Sequence, residues 1–77
     1  MSIAEDAKQV YESELKDRLE SAHWDEFVAI EPLSKSFFLG ETFIDAAMAA
    51  KSAYPNRKSF VLRIGHEAAF HIGASST

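Results

Sequence analysis

Apolar residues recur at three- and four-residue steps through the first third of the chain: Ile3, Ala7, Val10, Tyr11, Leu15, Leu19 and Ala22. That period lays one apolar stripe along a helix. Ser2 followed by Glu5 fits a capping box at its start. Glu12–Lys16 and Glu14–Arg18 supply i,i+4 pairs on the outer side. The stripe fails near His23-Trp24-Asp25, where Trp24 is expected to cover one end of the core.

The pattern then changes. Phe27, Val28, Ala29 and Ile30 form a short apolar run closed by Pro32, and Ser36 to Gly40 (SFFLG) form another. Runs of this length around a Pro-Leu-Ser-Lys turn predict an antiparallel hairpin. Both strands are apolar on successive residues, so both faces are expected to be partly covered: the inner face by helices, the outer by another chain. Gly40 allows a sharp exit, and Thr42 is the expected N-cap of a second helix with Asp45 at its third position. Phe43, Ala46, Ala47, Ala50 and Tyr54 share one face, and Pro55-Asn56 ends the helix.

The last segment, FVLRIGHEAAFHIG, alternates twice. Phe60, Leu62 and Ile64 on one run face Ala68, Phe70 and Ile72 on the next if the loop is residues 65–67. A one-residue slip would turn His71 or Glu67 into the core, so this register is preferred. His66 then sits at the loop tip and His71 roughly 13 Å away on the outer face, too far for the two rings to share a metal or a proton. The order helix, strand, strand, helix, strand, strand predicts an α+β two-layer sandwich with a mainly antiparallel sheet and helices on one face. One domain is expected over residues 1–73, with a flexible polar tail at 74–77.

Length and charge narrow the function more than they name it. A chain of 77 residues is one small domain burying only about 60% of its unfolded surface. It has no cysteine, hence no disulfide, thiol nucleophile or thiolate metal site. No apolar run approaches the roughly 20 residues of a membrane span, and the first residues lack a signal-peptide pattern, so a cytoplasmic protein is expected. The formal charge of −4 is uneven: residues 1–45 hold eleven acids and four bases, and residues 46–77 hold Lys51, Arg57, Lys58 and Arg63 against Glu67. Such a division favours self-association or a charged partner.

Candidate chemistry is sparse. His23, His66 and His71 lack zinc-ligand spacing. Gly40-Glu41-Thr42 is one glycine before a helix, which reads as a turn and not a phosphate loop. Glu26 and Glu31 read as solvated charges at strand ends, and no serine sits on a nucleophile elbow. No cofactor and no monomeric catalysis are expected. Four bases with His66 on an acidic chain argue against nucleic-acid binding, which stands as a weak alternative.

FVAIEP, FFLG and FVLRIGH with its following HIG resemble a family of small uncharacterised bacterial proteins, a domain of unknown function. The likeness covers residues 9–73 and implies no reaction. Gly40, Thr42 and Ala46 match G-x-T-x-x-x-A, a phrase that resembles the strand-to-helix step of HicB-type antitoxins. The leading helix and the lack of an appended DNA-binding module depart from that family. Taken together, the sequence points to a non-catalytic interaction module: an adaptor, regulator or antitoxin-like protein that binds a protein partner or itself. Val28, Ile30, Phe38 and Val61 are the candidate outer patch, and Arg63, His66 and His71 the candidate polar contacts. The alternative is a ligand-binding domain or small enzyme whose site forms only between subunits.

Overall fold

The computed structural model describes residues 2–66. The N-terminal stripe forms helix α1 (Ile3–Val10), a π-helical turn (Tyr11–Leu15) and helix α2 (Lys16–Ala22). Ser2 caps it as expected, its hydroxyl accepting the Glu5 N–H at 3.1 Å. The π turn was not expected, and the side-chain spacing explains it. Tyr11, Leu15 and Leu19 are all buried, at steps of four. In an ideal α-helix, at about 100° per residue, each such step overshoots by about 40°. Widening one turn absorbs that drift and keeps all three on the core: the Lys16 N–H reaches back to the Tyr11 carbonyl. Ser13 Oγ also donates to the Gln9 carbonyl at 2.8 Å, a back-bond of the kind that bends helices.

Strands β1 (Phe27–Glu31), β2 (Ser36–Gly40) and β3 (Phe60–Arg63) form an antiparallel sheet in the order β2-β1-β3. The predicted hairpin is present, Val28 pairing with Leu39 and Glu31 with Ser36. On the other side Val28 pairs with Leu62 and Ile30 with Phe60. Helix α3 (Phe43–Ala53) joins β2 to β3. Thr42 caps it by accepting the Asp45 N–H at 3.1 Å. A Cβ on Gly40 would lie 2.4 Å from the Ala46 backbone nitrogen, so the start of α3 lies directly on the end of β2. Gly40, Thr42 and Ala46 are thus held together by close packing, the Thr42 cap and the Ala46 N–H to the Thr42 carbonyl.

The α+β class is observed, but the helices do not share a face. Val28, Ile30, Phe60, Leu62 and Ile64 pack with Ala7, Val10, Tyr11, Leu15 and Leu19 of the N-terminal helical run. Ala29 and Val61, of opposite parity, pack with Ala46 and Ala50 of α3. The sheet is therefore the middle of three layers. A strand apolar on every successive residue needs cover on both sides, and here both covers come from the same chain. This corrects the placement of three expected patch residues: Val28 and Ile30 are fully buried under the first helices, and Val61 is buried under α3. Phe38 is half-buried beside α3.

Where the N-terminal helices meet the sheet, Asp25 adopts a left-handed backbone with φ of 77°. Its N–H donates to the Ile64 carbonyl at 3.0 Å, while the Ile64 N–H donates to the Glu26 carbonyl at 2.8 Å. Two residues oppose one, the hydrogen-bond pattern of a β-bulge whose first position is usually glycine. The predicted return strand at residues 68–72, with His71, and the tail at 74–77 lie outside the described residues.

Candidate functional site

The alternation that buries Ala29 on the α3 side also sends Glu31 there. Glu31 is 1% exposed, against the expectation of a solvated charge. Its carboxylate accepts the Leu33 N–H at 3.0 Å, the Ser34 N–H at 2.9 Å and Arg57 Nη1 at 3.1 Å. Burial pushes its pKa up, but the Ser34 hydroxyl, the Ser34 and Leu33 amides and Arg57 outweigh it and bring it from 4.5 down to about 2. Arg57 also lies over the Tyr54 ring, 5.4 Å from its centroid. The Tyr54 hydroxyl shares a hydrogen bond with Ser36 Oγ at 3.1 Å, and its ring meets Phe38 edge-on at 6.1 Å. This clamp ties the hairpin turn, β2, the end of α3 and the approach to β3 into one unit. Its donors come from a turn amide pair and from a residue 26 positions away, so the only signal in the sequence was the parity of Glu31 with Ala29.

The clamp fixes β2, and β2 is an edge: among the described residues it pairs only with β1. Backbone groups of successive residues in a strand point to opposite sides. Glu26 faces β3, so Phe27, Ala29 and Glu31 face β2, and their partners there are Gly40, Phe38 and Ser36. That leaves the N–H and C=O groups of Phe37 and Leu39 directed outward. The side chains of Phe37, Phe38 and Leu39 are all half-buried, and Arg18 lies 5.9 Å from the Phe37 ring centroid. Leu33, at the hairpin tip, is 80% exposed. An open groove of about 510 Å³ lies beside Ser36, Phe38 and Tyr54, and another of about 440 Å³ opens at the hairpin turn, between Leu33 and the N-terminal helical run.

Arg63 and His66 gather at the opposite end. Arg63 Nε lies 3.6 Å from Asp25 Oδ1, and His66 Nε2 reaches the same oxygen at 2.5 Å. The His66 hydrogen bond, helped by the Arg63 charge, outweighs desolvation and lowers the Asp25 pKa. Arg63 also covers the Phe27 ring at 5.5 Å. Trp24 lies against Gly65, which has φ of 90°, and its ring centroid is 6.3 Å from that of His66. Trp24, expected to cover one end of the core, is 58% exposed and meets Gly65 and His66 at this end instead. The structure thus brings Arg63 and His66 together around the bulge. A polar groove of about 310 Å³ opens beside them, lined by Lys8, Tyr11, Lys16, Glu20 and His66. Tyr11 donates to Glu20 at 3.0 Å; burial first, and then this bond, push its pKa up to about 12.

Among the described residues no cluster of His, Asp or Glu could hold a metal ion, and no helix is long and apolar enough to cross a membrane. No family model, curated protein or solved structure matches the chain.

Proposed function

We propose that the chain is a non-catalytic protein-interaction module that engages its partner by strand addition at the β2 edge. The open run SFFLG carries this reading: outward backbone groups at Phe37 and Leu39, half-buried aromatics beside them, and the exposed Leu33 at one end. Edges of this kind offer main-chain hydrogen bonds for affinity and side-chain grooves for specificity. The charged residues support it from the other direction. Glu31 and Arg57 are spent on the hairpin clamp, and Arg63 and His66 on Asp25 at the bulge. Of the expected patch, this reading retains Phe38.

The test is affinity capture with the wild-type chain and with Phe38→Lys, which places a charge on the edge as many natural edge strands do. Circular dichroism would first establish that both are folded. A partner held by the wild type and lost by the variant supports the reading. A partner held equally by both would move the interaction away from β2.

A further inference from the structure

We propose that the occupant of the β2 edge is a second copy of this chain, paired antiparallel about a two-fold axis at Phe38. This rests on the strand-addition reading and names its partner. The backbone is self-complementary at that centre. The outward groups belong to Phe37 and Leu39, symmetric about Phe38, so a two-fold pairing sets Phe37 of one copy opposite Leu39 of the other, twice. Each pair exchanges both backbone bonds, four in all, with neither copy left short of a donor or acceptor. Phe38 meets its own counterpart on the α3 side, and Phe37 meets Leu39 on the side of the first helices. These are aromatic and aromatic–aliphatic cross-strand pairs of the kind that stabilise sheets.

Charge agrees with the same register. Just outside the strand, the turn residue Lys35 precedes Ser36 and Glu41 follows Gly40, so this register brings Lys35 of one copy near Glu41 of the other at both ends of the interface. Both residues are exposed. Lys35 Nζ already bonds Glu14 at 3.0 Å, which leaves two of its three N–H donors for Glu41. A register shifted by one residue would face outward groups with inward ones and lose both the hydrogen bonds and the charge match. The product is one continuous sheet of six strands from the described residues, with each copy's helices on its two faces.

The chain has no cysteine, so a single introduced thiol reads the geometry cleanly. Phe38 would meet its counterpart in a non-hydrogen-bonded pair, with Cα atoms about 4.5 Å apart, inside the range a disulfide spans. Phe38→Cys should therefore give a disulfide-linked dimer under mild oxidation, while Met48→Cys on the exposed face of α3 stays monomeric. Sedimentation of the wild type should show a concentration-dependent dimer. Glu41→Lys, which opposes like charges, should weaken that dimer by about tenfold, as expected for two exposed pairs. Hydrogen exchange on the wild type adds a readout that needs no variant: the Phe37 and Leu39 amides should gain protection as concentration rises. Equal cross-linking of Phe38→Cys and Met48→Cys, or a wild type that stays monomeric with unprotected amides, overturns the second-copy proposal. If a different protein is then captured through β2, the strand-addition reading survives without it. If β2 captures nothing, both fall.

Discussion

Replacing Glu31 by Gln tests the clamp most directly, because it removes the charge and keeps the shape. In the folded chain the carboxyl titrates at about 2 instead of 4.5. That difference is worth about 3 kcal/mol at neutral pH. Its partner Arg57 is half-exposed, so water screens part of the interaction and the expected loss is about 2–3 kcal/mol. A domain of this length has a total stability of roughly 4–11 kcal/mol, so Glu31→Gln should fold but melt roughly 10–20 °C lower. The pH dependence follows from the sign of the shift. A depressed folded pKa stabilises above the unfolded value of 4.5 and loses that contribution as pH falls toward about 2. Urea titrations of both proteins from pH 7 to pH 2.5 would measure it. The other carboxylates titrate in both and cancel. The gap should be widest above about pH 5, roughly halve by pH 3, and close further as Glu31 protonates. A constant gap across that range, or none at pH 7, would refute the account of the clamp.

Three further substitutions probe the backbone. Gly40→Ala drives a methyl group to 2.4 Å from the Ala46 nitrogen and should cost at least about 2 kcal/mol in chemical denaturation; a neutral result would mean that α3 sits farther from β2. Thr42→Ala removes the cap on the Asp45 N–H and should cost about 1 kcal/mol, read as a lower urea midpoint at unchanged slope. Lys35 has φ of 61° and its ion pair with Glu14 is exposed and so contributes little; Lys35→Gly should therefore stabilise the chain by about 0.5–1 kcal/mol, and an unchanged or lower urea midpoint would refute strain at this turn.

The caps at Ser2 and Thr42, both strands of the hairpin and the Pro32 turn were legible in the sequence because each depends on chemistry within four residues. The side on which each helix lies was not. Phe27 to Ile30 are apolar on both parities, so no polar residue marked a solvent face, and the run fits an outer patch as well as a second helical cover. The π turn was hidden for a related reason: steps of three and four fit a helix stripe until the drift over Tyr11, Leu15 and Leu19 is added up. Glu31 looked solvated because its partners are turn amides and an arginine beyond α3. The edge at β2 was legible as an apolar strand, and became an edge only when β3 joined the far side of β1.

That arrival of β3 beside β1 has a kinetic consequence. The central strand is the first of the three in the chain, and β2 and β3 run parallel on either side of it. The β1–β2 hairpin closes through four turn residues, an event of microseconds, whereas Ile30 meets Phe60 only after a far longer segment has been gathered in. Until then β1 carries an open flank of its own. The Glu31–Arg57 contact spans that same gap in the chain, so it acts as a latch thrown at the end of folding. Mutations at Arg57 should accordingly hasten unfolding and leave the folding rate nearly untouched.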